Sequence, residues 1–363
     1  MGRAKASFSV VCCTYNGHEK LMGLLRAIEN LVIVIDFDIE FIFVVDGSTD
    51  GSLELLQEFK VSHPNPKVSI LSNEKNFGLS ESRNVGIANA AGTYVAFLDD
   101  DCRPPSDWLQ NLVESWARVP VEIVGIGGYV FAATPQSLNQ RFCQVVEPVR
   151  PILLRISERG IISRLKIYYS RDRREYGYAE YLVGANMSFR RNALMAVDCF
   201  LPSMRFGGDD TYICNRLREQ FGDSSLIISP SLPMNHEYAQ SFIDSLKRSF
   251  CYGQGTFKNY WAGTGNLSFN PGPILVLLAA FELALNFTGL HMNSQWTSHL
   301  VISSALVTIC YSLFIGSWKF NKWRNPLKAI TLGVAYFLCE IANVSGFISY
   351  LPGKAFSKLG VFR

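Results

Sequence analysis

The first hundred residues alternate short β-branched or aromatic runs with segments whose apolar residues recur at helical spacing, and no other feature narrows the possible folds so far. "FSVVCCTY" (8–15), "FIFVVD" (41–46), "VSILSN" (68–73) and "TYVAFLDD" (93–100) read as strands. Between them "GHEKLMGLLRAIENL", "GSLELLQEFKVS" and "LSESRNVGIANAA" read as helices. Strand and helix alternating at this interval make βαβ units, and so an α/β domain whose mostly parallel sheet is covered on both faces. Ligands of such sheets bind at the carboxyl ends of the strands. Three polar clusters fall there: Thr14 to Gly17, Asp46 to Ser52, and Asp99 to Arg103.

The third cluster sets an electrostatic problem. Asp99, Asp100 and Asp101 are adjacent carboxylates at a strand end, and they repel one another unless a cation takes up the charge. A hard divalent ion would do so. The second cluster, "DGSTDGS" (46–52), is explained largely as a helix-capping turn, apart from Asp46 at the end of a buried strand. There a carboxylate can accept hydrogen bonds from a base or ribose. No GxxxxGK[ST] is present and no GxGxxG follows a strand, so neither a P-loop NTPase nor a dinucleotide oxidoreductase is supported.

Charge excludes another class. With 34 basic against 31 acidic residues the formal net charge is +3, too little for a nucleic-acid binder that works through bulk charge. The nine cysteines are scattered and contain no CxxC pair, which argues for reduced thiols in a cytosolic domain. The basic start "MGRAKASFSVVCC" passes quickly into polar sequence, so no cleaved signal peptide is expected.

Further strand candidates, "VEIVGIGGYVFAA" and "YLVGANMSFRR", flank a segment rich in arginine and aliphatic residues around Arg150, Arg155, Arg159, Arg164 and Lys166. That segment reads as a basic amphipathic surface or as a solvated helix or loop over the site. After Pro271 come three apolar stretches, 273–290, 299–318 and 329–351, each about as long as a bilayer-spanning helix. Glu282 and Glu340 interrupt the first and third. The basic loop "WKFNKWRNPLK" is expected on the cytoplasmic side, and the basic tail then implies that one stretch is re-entrant or interfacial. The sequons at Asn186, Asn266 and Asn286 become chance matches on this reading. The expected layout is a catalytic domain over 1–235, an amphipathic acceptor-side segment over 236–270 and a multi-pass membrane region over 271–363, with the catalytic domain cytoplasmic.

"FSVVCCTYNG", "VVDGSTDGS", "NFGLSESRNVGIANAAGTYVAFLDDDCRP", "LVGANMSFRRNAL" and "MRFGGDDTYICNRLRE" resemble, in order and spacing, the motifs of family 2 glycosyltransferases with a GT-A fold, over about residues 7 to 222. The resemblance implies an inverting transfer of sugar from a nucleotide-sugar donor, with uridine the usual base. By it Thr14, Tyr15, Asn16 and Asp46 hold the nucleotide, and Asn76, Gly78, Ser80, Arg83 and Asn84 line the donor site. The D-x-D motif falls on Asp99 and Asp101, with Asp101 the direct ligand of Mg2+ or Mn2+, Asp99 nearer the ribose and Asp100 beside them. The acidic pair before a helix is Asp209 and Asp210, where Asp replaces the usual Glu at 209 and Asp210 is the expected base. His236 stands where members often place a further metal or phosphate contact, and Lys247 and Arg248 match a weaker acceptor-side segment.

The chemistry asks for these residue types on its own terms. A departing nucleoside diphosphate gathers negative charge that a carboxylate-bound cation neutralises. The acceptor hydroxyl must lose a proton, and a positioned carboxylate can take it. The apolar tail and the arginine-rich segment favour a lipid-linked or polysaccharide acceptor and membrane association. The missing Q-x-x-R-W motif speaks for one sugar per acceptor. Two rivals are a catalytically silent membrane scaffold and a nucleotidyltransferase. The first would show loss of the D-x-D or base, and the second a Gly-rich basic loop after the first strand.

Overall fold

The computed structural model describes residues 7–32, 37–64, 66–133, 177–238, 241–263 and 326–349, with isolated positions between 137 and 143 and at 303, 306 and 310. The chain forms two compact units, one of residues 1–136 with 149–238 and one of 137–148 with 239–363.

The first unit is built on four parallel strands. Runs such as "FSVVCCT" and "EFIFVVD" are apolar at nearly every position because both faces of their sheet are covered. They form β1 (Ser7–Thr14), β2 (Asp38–Asp46), β3 (Lys67–Asn73) and β4 (Tyr94–Asp99), in the spatial order β3, β2, β1, β4. Helices α1 (His18–Glu29), α2 (Ser52–Ser62) and α3 (Leu79–Asn89) make the crossovers. Register sets the strand ends level: Thr14 lies opposite Val45, Cys13 opposite Asp99, and Asp46 opposite Asn73. The three polar clusters therefore open on one edge.

Beyond β4 the strands shorten and change direction. After β5 (Cys102–Arg103) and α4 (Trp108–Arg118) come β6 (Gly125–Gly127), β7 (Val130–Ala132) and β8 (Gly177–Tyr178). A single 3-10 turn (Gly184–Asn186) then leads into β9 (Met187–Arg190) and α5 (Arg191–Ala196). The unit closes with α6 (Asp209–Phe221), β10 (Leu226–Ile228) and β11 (Met234–His236). β9 runs antiparallel between β4 and β6, extending the sheet through β10 to β8, while β5, β11 and β7 form a small second sheet. Phe97, Phe189 and Phe200 fill one side of the main sheet, and Trp108, Leu109 and Trp116 of α4 fill the other. Trp116 is a core residue whose Nε1 donates to Ser188 Oγ at 3.0 Å.

The second unit contains α7 (Phe242–Trp261) and α8 (Pro326–Ile348). They meet backbone to backbone: a Cβ on Gly253 would overlap the carbonyl of Asn343, and one on Gly346 would overlap that of Phe250. Lys247, on α7, pairs with Asp244 at 3.3 Å. The expectation of three membrane-spanning helices is not supported. Most of the third apolar stretch forms α8, whose sequence intersperses Glu340, Asn343 and Ser345 among its apolar residues, and among the described residues no helix is long and apolar enough to cross a membrane. The first stretch, all of the second but positions 303, 306 and 310, the arginine-rich segment, Asn266 and Asn286 lie outside the described residues.

Candidate active site

The cleft at the carboxyl ends of β1, β2 and β4 is framed by residues that mostly bind protein. Asp46 is buried, and its carboxylate accepts from Asn73 Nδ2 (2.8 Å), Phe77 N (3.0 Å) and Gly78 N (2.8 Å). It thereby fixes the loop after β3. Gly78 takes φ +99°, and a Cβ there would lie 2.7 Å from Arg205 Cα, so only glycine fits. Arg205 Nη2 donates to Asn76 O and Oδ1 at 2.7 and 2.8 Å. Asn84 donates to Phe200 O at 2.8 Å and accepts from Phe200 N at 3.0 Å. Ser80 is fully buried on the inner face of α3. After β1, Tyr15 is half exposed, and Asn16 accepts from Thr49 N (2.9 Å) while its own N–H donates to Ser48 Oγ (3.0 Å). That exchange ties the first two polar clusters together.

Arg83 is the hub. Its buried guanidinium pairs through Nη1 with Asp209 and through Nη2 with Asp99 at 2.9 Å and the Gly184 carbonyl at 3.3 Å. Its Cζ sits 5.7 and 5.6 Å from the ring centres of Phe97 and Phe200. Burial opposes the positive charge, and Asp209 and Asp99 outweigh it, so the group stays protonated.

The aspartate triplet divides its contacts. Asp100 Oδ2 accepts from Thr14 Oγ1 at 2.8 Å, and burial together with Asp101 pushes its carboxyl up to about 7. Burial also raises Asp99, against the pull of Arg83. Asp101 is buried between two cations or potential cations: Lys20 Nζ lies 3.2 Å from Oδ2 and His236 Nε2 2.9 Å from Oδ1. His236 arrives there because β11 pairs antiparallel with β5, setting it opposite Cys102. One ligand atom from each of Asp99, Asp101 and His236 lies within 4.8 Å of the others. Two carboxylates and an imidazole converging on one point fit a divalent first-row cation.

Asp210 opens α6 behind Gly207 and Gly208, both at positive φ. Its Oδ1 accepts from Thr211 N at 2.7 Å and its Oδ2 from Gly184 N at 3.3 Å. Burial and the neighbouring Asp209 push it up to about 6, with Arg83 pulling back. A carboxylate poised near neutrality is suited to proton transfer. Gly184 touches both Arg83 and Asp210, and the turn it begins is pinned by Asn186. Trp108 Nε1 donates to Asn186 Oδ1 (3.1 Å), and Asn186 Nδ2 donates to Leu232 O (2.8 Å). Asn186 is buried and committed, which removes it as a glycosylation acceptor.

Sequence reasoning missed Lys20, Gly184 and Arg205. Lys20 carried a usable signal, a cation in the first turn after a site-forming strand; Gly184 acts through its backbone, and Arg205 reaches Asn76 from 129 residues away, neither of which residue identity announces.

An α/β unit with an acidic, metal-capable cluster at its strand ends is compatible with a metal-assisted transferase, and the comparisons give the family. The family model for glycosyl transferase family 2 matches residues 9–197, and the chain belongs to that family: it is a glycosyltransferase. A glucosyl-dolichyl phosphate glucuronosyltransferase of Haloferax volcanii is 27% identical over 258 residues, 68% of this chain and 74% of the relative. A cholesterol galactosyltransferase of Borreliella burgdorferi is 34% identical over 108 residues, 30% of this chain and 28% of the relative. Among solved structures, a mannosyltransferase of Pyrobaculum calidifontis in complex with GDP-Man and Mn2+ shares the fold at TM-score 0.56 and 15% identity, covering 93% of this chain and 86% of that one.

Proposed function

We propose that the protein transfers a single sugar, with inversion, from a nucleoside diphosphate sugar to a lipid-linked acceptor. The observation that carries this reading is the Asp210–Gly184–Arg83–Asp99 array. It holds a carboxylate of raised pKa in the same bonded network as the acidic cluster at the strand ends. In the reaction Asp210 takes the proton of the acceptor hydroxyl as its oxygen bonds to the anomeric carbon. The bond from that carbon to the diphosphate oxygen breaks, and its electron pair leaves with the diphosphate. Arg83 holds Asp99 and Asp209 in place. Asp99, Asp101 and His236 would hold a Mg2+ or Mn2+ ion, which when bound neutralises charge growing on the departing diphosphate.

The lipid-linked acceptor is supported by the two relatives named for dolichyl phosphate and cholesterol substrates. The donor's base is left between uridine, by family habit, and guanosine, carried by the solved fold neighbour. All nine cysteines are free, in keeping with a cytoplasmic catalytic unit.

The test is release of nucleoside diphosphate from a panel of sugar nucleotides by full-length protein with lipid extract, with Mn2+, with Mg2+ and with chelator. Metal-dependent turnover of one donor, abolished in Asp101→Ala and Asp210→Ala, is the expected result. Turnover that survives Asp210→Ala would remove the base assignment.

A further inference from the structure

Asp101 is pinched between His236 on one oxygen and Lys20 on the other. Lys20 is reached from the first turn of α1, its side chain is 49% exposed, and it lies 3.6 Å from Asp100 as well. The approach is built into the fold. Gly17, the residue before α1, leaves room for Asp100 against the helix start, since a Cβ there would overlap Asp100 Oδ2 and Thr14 Oγ1. A helix N-terminus also favours the nearby carboxylates. The ammonium thus sits on the carboxylate oxygens of the acidic cluster that offers the metal ligands.

We propose that Lys20 is a tethered competitor of the divalent cation: it neutralises Asp100 and Asp101 in the donor-free protein and must be displaced from Asp101 when the metal binds. This rests on the metal reading above and adds a residue to it. A point charge on a flexible stem suits the task, because it can leave the carboxylate without disturbing the backbone. The negative diphosphate of the donor offers the displaced ammonium a new partner. Metal and nucleotide therefore bind cooperatively, the metal weakly alone and more tightly once nucleotide is present, by linkage through one side chain.

The experiment titrates Mn2+ into the full-length protein while free Mn2+ is followed by electron paramagnetic resonance, without nucleotide and then with saturating UDP or GDP. Wild type, Lys20→Met, Lys20→Arg and Asp101→Asn are compared. Lys20 is half exposed, so Lys20→Met should bind Mn2+ about 2–5-fold more tightly than wild type without nucleotide. The gain from adding nucleotide should shrink in that variant, and Lys20→Arg should keep the wild-type pattern. A merely structural Lys20 would give the opposite sign, since a loosened site binds metal less well. Equal or weaker binding by Lys20→Met, with Asp101→Asn abolishing it, overturns the competitor role and leaves the metal site standing. If neither wild type nor Lys20→Met binds Mn2+ under any condition, the metal reading itself falls, and this one with it.

Discussion

Replacing Arg83 by methionine isolates what the hub contributes. Methionine keeps much of the apolar stem between Phe97 and Phe200 and deletes the guanidinium, leaving Asp99 and the buried Asp209 without their shared partner. Removing one member of a buried ion pair costs about 3–5 kcal/mol, because the remaining charge stays desolvated. With an m-value on the order of 3 kcal/mol/M, the urea midpoint should fall by about 1–1.7 M. The loss should also depend on pH. With Arg83 gone, the burial of Asp99 is no longer opposed, and its carboxyl titrates further above its unfolded-chain value. The variant's folded state then binds protons that the unfolded chain has released, so its stability rises as pH falls toward the unfolded value near about 4. The deficit against wild type should be full at about pH 8 and markedly smaller at about pH 5. Urea unfolding of both proteins at the two pH values, with chelator present, measures it. A midpoint displaced equally at both, or by a few tenths of a molar, would refute the reasoning.

Other expectations follow from single contacts. Activity should fall with decreasing pH through about 6, because Asp210 must be deprotonated to accept the acceptor's proton, and a pH–rate profile at saturating donor reads this directly. Asp210→Asn should abolish turnover yet stabilise the fold at about pH 8 by on the order of 2 kcal/mol, since a carboxyl raised above its unfolded value costs stability once ionised. That gain should vanish below about pH 4, and thermal melts across pH would expose its absence. Gly78→Ala should strain the loop after β3 and push it off Arg205, costing about 2 kcal/mol or more and weakening nucleotide binding measured by calorimetry. His236→Ala should weaken Mn2+ binding by at least tenfold with little change in far-UV circular dichroism.

How far the sequence disclosed all this varies along the chain. β1 to β4 and the three crossover helices were readable within three residues at every boundary, because parallel strands covered on both faces leave long apolar runs that no surface element imitates. The strands from β5 onward run to four residues at most, too short to show a period of two, and the small β5–β11–β7 sheet is invisible before folding. The acidic triplet asked for a cation through its own repulsion, and two of its members lie with His236 in a cluster that could hold one. Asp46 and Asn84 did not announce that their polar atoms would be spent on loops near residues 77 and 200. Apolar length read as membrane helix in the third C-terminal stretch overlooked helix against helix, where Gly253 and Gly346 let two backbones touch.

Arg83 and Asp209 stand 126 positions apart, and the order in which a ribosome delivers them has a consequence. The four parallel strands are all synthesised by residue 99 and can assemble from near neighbours, with Arg83 already on α3. Until α6 emerges, that arginine has Asp99 but not Asp209, and until β11 emerges Asp101 lacks its histidine. The nascent half-sheet therefore carries the acidic triplet at its strand ends with neither Asp209 nor Asp210 beside it and without His236. On the proposed mechanism a chain stalled or cut before residue 209 has these strand ends and no means of transfer, so catalytic competence appears late, in two steps, as α6 and then β11 close over strands made long before.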